Sequence, residues 1–346
     1  MIIKYKKVIK FSNLFLGKLS LNKIHANQIS TKLVNSDMCG HFSHGVNRLI
    51  QYHNGVKKKI YRPNIKPKLI SKKNNFILVD GRHSFGQLAM DYACRLIIKQ
   101  KNLINISSII NTGHIGRLSD YNEFFSKKNL ISLIFCNGGG PNTSIYPITK
   151  RVVGTNPFSC GIPVTKNNFF TLDFATSKLA EGKINLAALS KQKLKTKPII
   201  SKHGKYSNNP NDLYAGGALI PFGEIKGSGF LLLNEILGGI LISKNNPLNK
   251  NYIDGNNCLV ITIDRKIFDY NNSFISQFNK LKKILKKSKR VKGYNLRNTY
   301  FPGELEKEVY KKSIKKGINY NNKLIKRLND FAKKELNFDN KDLLKN

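Results

Sequence analysis

The chain has few cysteines, and they follow no pattern that builds a metal site or a disulfide framework. Its 346 residues include five cysteines, an odd number, and no C-x-x-C spacing occurs. Zinc ribbons and disulfide-stapled folds use cysteines at paired spacings, so both are disfavoured. A reducing interior fits this composition best. We therefore expect a cytoplasmic protein without a metal site.

Long apolar runs are missing as well. The longest stretches, such as 133–136 and 229–233, fall far short of the roughly 18–20 residues that cross a bilayer. The N-terminus carries lysines but no continuous apolar segment and no small-residue cleavage site, which disfavours a signal peptide. We expect no membrane partner. Hydrophobic residues still make up 40% of the chain, which is typical of a globular protein.

Acidic residues and arginines are scarce. The chain has 60 Lys+Arg against 20 Asp+Glu, for a formal net charge of +40, yet only ten of the basic residues are arginines. A surface that binds phosphates or base edges is expected to contain many arginines, because the planar guanidinium donates two hydrogen bonds to one phosphate or one base. We therefore interpret the lysine excess as compositional bias and expect no nucleic-acid partner. A non-catalytic, lysine-rich protein associated with nucleic acid is the alternative from another class.

Hydrophobic periodicity predicts alternating helices and strands. Helices are predicted over 20–37 (with Ser20 as its cap), 84–99, 117–128, 178–191 and 229–243, the last mostly buried; strands are predicted over 103–110, 131–136, 169–175 and 258–264. Residues 200–215 are predicted to form a long loop. Residues 103–136 thus form one β–loop–α–β unit, which indicates an α/β protein with a mixed sheet.

Several standard catalytic motifs are absent. The turn NTGHIGRL has only Gly113 and Gly116, so no G-x-G-x-x-G follows a strand. The lysine in GEIKGSGF precedes its glycine, unlike the lysine of a Walker P-loop. Neither H-E-x-x-H nor G-x-S-x-G occurs. These absences disfavour a Rossmann dinucleotide site, a P-loop and a hydrolase elbow.

Four constellations could carry chemistry. Residues 40–49 contain two histidines, a serine and an arginine; a histidine that moves a proton and an arginine that clamps a carboxylate suit a 2-oxo or 2-hydroxy acid. His114, between glycines at a strand end, is the second candidate. Glycine turns at 138–141 and 154–158 could approach a phosphate or a flat ring. Residues 173–177 with 221–227 could hold a pyrophosphate or ribose.

Each constellation also has an ordinary structural interpretation. His44 could cap a helix while Arg48 pairs on the surface, and His114 could be a turn residue bonded to local backbone. The glycine turns could be plain loops. A single lysine at 226 is no evidence by itself in a chain with fifty lysines. The residues alone leave these alternatives open.

The order of the motifs is more specific than any one of them. They are SHGVNRL, VDGRHSFGQLAMDYA, NTGHIGRLSDY, GTNPFSCGIP, LDFATSKLAEGKI, ALIPFGEIKGSGF and PGE. This series resembles the malate/L-lactate dehydrogenase family of the second type, with the sulfolactate-dehydrogenase-like fold, over about residues 10–335. Within that family it most resembles the hydroxycarboxylate dehydrogenase and hydroxyphenylpyruvate reductase branch.

The resemblance implies an NAD- or NADP-dependent oxidoreductase and a homodimer. Its nucleotide-binding fold would not be of the Rossmann type, and its substrate would be a 2-oxo or 2-hydroxy acid of the malate, lactate or hydroxyphenylpyruvate type. A ketimine reductase that acts on cyclic imine carboxylates is the other enzyme of this fold that we consider. The implied division is a helical substrate and dimer region, 1–75 with 265–346, around an NAD(P)-binding mixed-sheet domain, 76–264.

The resemblance also assigns roles to residues. His44 matches the proton donor and acceptor, Ser43 its partner, and Arg48 the arginine near the substrate carboxylate, while His114 and Thr155 match positions around the substrate pocket. The residues matching stretches that line the cofactor are Phe170, Thr171, Leu172, Asp173, Phe174, Ala175, Thr176, Ile225, Lys226, Gly303, Glu304 and Leu305. The family commonly has a histidine where Ile225 stands, and Glu224 replaces a small residue of some members. The choice between NAD and NADP therefore stays open.

Overall fold

The computed structural model describes residues 1–268, 273–292 and 300–345. Its helices are α1 (Tyr5–Lys18), α2 (Lys23–Met38), α3 (Leu49–Lys57), α4 (Gly86–Lys99), α5 (Ser119–Ser126), α6 (Glu181–Leu189), α7 (Asn211–Tyr214), α8 (Glu224–Glu235), α9 (Phe274–Lys287), α10 (Glu304–Lys316) and α11 (Asn322–Leu336). Its strands are β1 (Ile2–Ile3), β2 (Lys68–Lys73), β3 (Phe76–Asp80), β4 (Ile104–Thr112), β5 (Leu130–Gly138), β6 (Phe158–Thr165), β7 (Asn168–Phe174), β8 (Ile199–Ile200), β9 (Tyr206–Ser207), β10 (Ala218–Leu219), β11 (Asn256–Asp264) and β12 (Ile318–Asn319).

A seven-stranded mixed sheet forms the centre of the molecule. Its strand order is β2-β3-β4-β11-β5-β6-β7, and of these neighbours only β3 and β4 run parallel. Both β4 and β5 pair antiparallel with β11, so they run parallel to each other with β11 between them. The predicted β–loop–α–β unit therefore exists, with α5 as its crossover, but a strand from far along the chain separates its two strands. The mixed α/β class is confirmed.

Two apolar clusters support this arrangement. One is built mainly from the N- and C-terminal helices and includes Phe11, Leu33 and Leu328. The other fills the space between the sheet and helices α4 and α5 and includes Ile109 and Phe125. The first cluster also takes in residues of α4, so the two meet there. The division into 1–75 with 265–346 and 76–264 stays a prediction; its segments 269–272 and 293–299 lie outside the described residues.

Three local predictions need correction. Helix α2 is capped by Asn22, whose side chain accepts a hydrogen bond from His25 N at 2.9 Å, and not by Ser20, which has a positive φ of 66°. Residues 200–215 are not one long loop, because they contain β9, α7 and part of β8. The apolar stretch 229–243 is not one α-helix: it begins inside α8, continues through a π-helical turn, Ile236–Ile240, and leaves the helix after that turn.

The apolar stretch 229–243 is also more exposed than predicted. Its exposed side chains are Leu232 (40%), Leu233 (40%), Ile236 (48%), Ile240 (44%) and Leu241 (69%). The rest of the chain covers the side of the stretch that carries Leu231, Asn234 and Glu235 and leaves these apolar side chains uncovered. Within the described ranges, none of the helices has the length and apolar character needed to cross a membrane.

Candidate active site

The segment after α2 folds into two short 3₁₀ turns, Phe42–His44 and Val46–Arg48, that lead into α3. The buried carboxyl group of Asp37 holds this segment in place: its Oδ2 accepts hydrogen bonds from Val46 N (3.0 Å) and from Tyr320 Oη (2.8 Å). A Cβ at position 45 would overlap the Asp37 carboxylate, so only glycine fits between the two turns. Burial raises the pKa of Asp37 to about 8. Asp37 thus fixes the loop that carries Ser43 and His44.

His44 and His114 lie side by side, although 70 positions separate them in the sequence. His44 Nδ1 and His114 Nε2 are 3.1 Å apart, and the planes of the two rings differ by only 4°. His114 follows strand β4, whose end brings it to the 3₁₀ turn that holds His44. The structure therefore joins the first two candidate constellations into one site.

Burial and neighbouring cations keep both imidazoles neutral. Burial lowers the pKa of His44 to about 3, and the charge of Arg48 contributes to this shift. Burial also holds the pKa of His114 well below its usual range, again with a contribution from Arg48. Each ring therefore carries a single proton at neutral pH while no substrate is bound.

Arg48 is fixed in orientation. Its Nε donates to the Ser43 carbonyl at 2.6 Å, and its Nη1 donates to Gln51 Oε1 at 2.8 Å. Nη1 also lies 3.9 Å from Glu181 Oε2. Arg48 is therefore half-buried and held within the site, and the alternative of a freely exposed surface pair does not describe it. These contacts leave Nη2 to meet a ligand.

A cavity of about 390 Å³ adjoins these side chains. Its wall includes His44, Arg48, His114, Thr155 and the glycine segment 138–140. The low-charge segment predicted to approach a ligand thus contributes to the same cavity as the two histidines. Ser43 lies next to this wall but is only 5% exposed, and its Cβ packs where a side chain on Gly182 would overlap it.

The stretches matched to the cofactor lie along β7, the edge strand of the sheet. In the middle of the strand, Gly303 (φ 86°) packs against Thr171, whose N–H donates to the Pro302 carbonyl at 3.5 Å. Just beyond the end of the strand, Thr176 Oγ1 donates to the Thr155 carbonyl at 2.8 Å. The Phe222 N–H, just before α8, donates to the Thr176 carbonyl at 3.0 Å. The three stretches are therefore neighbours along one strand.

Several of these side chains form hydrogen bonds or ion pairs with other residues of the chain. Asp173 Oδ2 accepts from Ser119 N (2.8 Å) and Ser119 Oγ (2.7 Å), so this carboxylate holds the start of α5. Glu304 forms ion pairs with two lysines of α9, which lower its pKa.

The other matched side chains differ in exposure. The aromatic members pack on rings, Phe170 on Phe301 and Phe174 on Phe230. Leu172 and Ala175 are half-buried, while Ile225, Lys226 and Leu305 are exposed.

A family comparison decides what kind of protein this is. The family model for malate/L-lactate dehydrogenase matches residues 3–329. The chain belongs to this family. The predicted family and the prediction of a 2-hydroxy-acid dehydrogenase are thereby confirmed.

Individual relatives agree with that assignment. The chain is 27% identical to the malate/(S)-sulfolactate dehydrogenase of Methanothermus fervidus, over 94% of this chain and 95% of that one. It is 28% identical to a Delta(1)-pyrroline-2-carboxylate/Delta(1)-piperideine-2-carboxylate reductase of Pseudomonas putida, over 58% and 60% of the two chains. The solved sulfolactate dehydrogenase of Methanocaldococcus jannaschii superposes with a TM-score of 0.83 at 25% identity, covering all of both chains.

Two residues of this dehydrogenase that are hydrogen-bonded in series to His114 were not found by sequence reasoning. Tyr52 Oη lies 2.8 Å from His114 Nδ1, and Gln87 Nε2 donates to Tyr52 Oη at 2.5 Å. Tyr52 comes four residues after Arg48, which places both on one face of a helix. That spacing was the available signal. Gln87 gave none, because it lies within a pattern that predicts an ordinary core helix.

Proposed function

We propose that this dehydrogenase interconverts 2-oxo and 2-hydroxy carboxylic acids with NAD or NADP, using His44 as proton donor and acceptor and Arg48 as the carboxylate clamp. The observation that carries the proposal is that both side chains lie on the wall of one cavity, with His114 hydrogen-bonded behind His44. The reduction of a 2-oxo acid requires a group that gives a proton to the carbonyl oxygen and a cation that holds the carboxylate, and this cavity has both.

The nicotinamide, when bound, supplies or accepts the hydride. The chain's own groups do the rest. Arg48 holds the carboxylate, and because its Nε and Nη1 are already bonded, the carboxylate approaches from one side. His44 gives a proton to the oxygen of the new alcohol, or removes it in the opposite direction. The glycine segment 138–140 lines the same cavity with backbone and without side-chain bulk.

We propose that the cofactor lies along β7, held by residues 170–176, 225–226 and 303–305. Three observations support a fit. Thr171 Oγ1 is buried and, among the described residues, has no hydrogen-bond partner. Gly303 keeps side-chain atoms away from this strand. Lys226 is exposed in the first turn of α8, where the N-terminal end of the helix and a lysine suit a phosphate.

A cyclic imine carboxylate is the second candidate substrate. It shares the carboxylate that Arg48 would hold, and one relative is named for its action on such compounds. The neutral histidine pair suits either substrate, because both reductions end with one proton added at the reacting atom.

The test is a substrate panel run with NADH and with NADPH. It would contain oxaloacetate, pyruvate, sulfopyruvate and hydroxyphenylpyruvate, their amides, and the pyrroline and piperideine 2-carboxylates. We expect oxidation of one of the reduced cofactors with at least one 2-oxo acid and none with the amides. Activity with the imines alone would favour the second candidate. No turnover, together with salt-sensitive retention of DNA or RNA, would favour the non-catalytic alternative.

We further propose that a second copy of the chain covers the exposed apolar side of α8 and its π-helical turn. Leu232, Ile236 and Ile240 follow one another at four-residue intervals and are each at least 40% exposed. Apolar side chains aligned in this way indicate an interface, whereas scattered ones do not.

We expect the Leu232→Asp/Ile236→Asp variant to be a monomer where the parent chain is a dimer, because two charges per copy would be buried without partners. Sedimentation velocity measures the difference. The control is Ile24→Asp, which replaces an isolated residue that is 71% exposed on α2 and should leave the dimer intact. A monomeric parent, or a double variant that stays dimeric, would contradict this proposal.

A further inference from the structure

We propose that Tyr52 and Gln87 are positioning residues for the proton transfer: through His114 they set which nitrogen of His44 carries the proton. Tyr52 and Gln87 are both fully buried, at 0% exposure. They lie behind the wall of the cavity, and the described cavity wall includes neither of them. The inference rests on the proposed acid–base role of His44.

The hydrogen bonds fix the proton positions one after another. Gln87 Nε2 donates to Tyr52 Oη, so the hydroxyl hydrogen of Tyr52 is free to point to its other neighbour, His114 Nδ1. A neutral His114 that accepts at Nδ1 carries its proton on Nε2. That proton is donated to His44 Nδ1, 3.1 Å away. His44 therefore carries its own proton on Nε2, the nitrogen that the chain of bonds leaves for the substrate.

Proton transfer needs the opposite arrangement. In the reduction, His44 takes up a second proton from water when the acid is bound and then gives its Nε2 proton to the oxygen of the new alcohol; the nitrogen keeps the electron pair and the remaining proton is on Nδ1. That Nδ1–H must donate to His114 Nε2, so His114 carries its proton on Nδ1 and donates to Tyr52. Tyr52 then needs an acceptor for its own hydrogen. The same arrangement leaves His44 Nε2 ready to take a proton from an alcohol in the reverse reaction.

Gln87 can serve both arrangements because an amide has a donor end and an acceptor end. Its Nε2 is the donor in the arrangement that the structure holds. Its Oε1 is buried and, in the part of the chain that the structure describes, has no hydrogen-bond partner. Turning the amide over would offer Oε1 to Tyr52. A buried acceptor without a partner costs free energy. We therefore expect the Gln87 amide to use both orientations, one donating to Tyr52 and one accepting from it.

The charges around His44 explain why the tautomer matters. Burial is the main cause that lowers the pKa of His44, and Arg48, the neighbouring His41 ring and Arg117 lower it further. His114 is itself neutral, so it supplies no negative charge that would raise the pKa of His44. Protonated His44 is therefore a minor species at neutral pH, and the neutral tautomer decides whether Nε2 carries a proton or a free electron pair. A carboxylate bound to Arg48 would offset the largest of these charges and favour protonation.

The first experiment reads the tautomers directly in the substrate-free, full-length protein labelled with ¹⁵N-histidine. In the parent we expect both His44 and His114 to be protonated on Nε2. Tyr52→Phe removes the donor to His114 and should give a mixture of tautomers. Gln87→Glu replaces the amide by a group that only accepts when ionised, so it should move the proton of both histidines to Nδ1. Unchanged tautomers in both variants would overturn the inference.

The second experiment measures the pH dependence of kcat and KM. We expect Tyr52→Phe to lower kcat by about 10–100-fold, the loss typical when an outer hydrogen-bond partner of a metal-bound histidine is removed, with KM for the acid unchanged. The pH at which kcat is half-maximal should shift in Tyr52→Phe and rise in Gln87→Glu, because a buried anion favours protonated His44.

The matched control is Tyr121→Phe. Tyr121 is buried and its hydroxyl donates to the Ile115 carbonyl at 2.7 Å, so this variant also loses a buried tyrosine hydrogen bond beside His114, yet it lies outside the chain of bonds. We expect reduced thermal stability and an unchanged pH profile. If Tyr52→Phe behaves like Tyr121→Phe, the inference fails. If instead His44→Ala keeps full activity while the tautomer shifts appear, it is the proposed function that fails.

Discussion

The His44→Ala enzyme is expected to lose about 10²–10⁴-fold in kcat, the usual contribution of a general acid, while its fold and its cofactor affinity are preserved. The substitution removes the one proton carrier of the proposed mechanism. His44 is half-buried in a three-residue 3₁₀ turn, and the turn is held by Asp37 and not by the imidazole. Steady-state rates on a substrate found in the panel and titration of NAD(P)H fluorescence measure the two quantities.

The control for this loss is His53→Ala. His53 lies on α3, as Tyr52 does, but the centroid of its ring is 4.9 Å from that of Phe331. His53 is not among the residues that line the cavity. It should keep its kcat. Full activity of His44→Ala would contradict the assignment and would make His114, whose Nε2 is 3.1 Å from the His44 ring, the proton donor. The corresponding His114→Ala variant would then carry the large loss.

Local pattern predicted the elements of the fold better than their order in the sheet. The strands at 104–112 and 130–138 and the helix between them follow from alternating and helical periodicity, which short-range contacts decide. The insertion of β11 between those strands does not follow, because residues 256–264 pair with partners more than 100 positions earlier. No local feature of either segment specifies that register.

The part of the candidate site that could be predicted consists of residues whose side-chain type alone indicates a chemical role. Histidine and arginine close together at 44 and 48 indicate acid–base and carboxylate chemistry without a structure. The contact of His44 with His114 was not predictable, since it depends on the end of β4 meeting the loop after α2. Tyr52 and Gln87 were missed for another reason: they lie on the buried faces of helices α3 and α4 and have the sequence pattern of core residues, and only their hydrogen bonds suggest the role that we propose.

The largest effect on substrate affinity is expected from Arg48→Ala. A hydrogen bond to a charged group contributes about 1.5–3 kcal/mol, so KM for the acid should rise by roughly 10–150-fold while the affinity for the cofactor is unchanged. Arg48→Lys keeps the charge but loses the planar guanidinium, so its KM should lie between that of the parent and that of Arg48→Ala. Arg327→Ala removes a nearby cation that does not face His44 and should behave as the parent. Steady-state kinetics over a range of acid concentrations give these values.

Glu181 makes the origin of this effect measurable. Its carboxylate lies 3.9 Å from Arg48 Nη1, so Arg48→Ala removes a clamp and also leaves an uncompensated negative charge beside the incoming substrate carboxylate. The double variant Arg48→Ala/Glu181→Gln should therefore recover part of the lost affinity, and the recovered part measures the repulsion. If KM stays constant and only kcat falls, Arg48 acts through the Ser43 carbonyl that it holds, and not through the substrate.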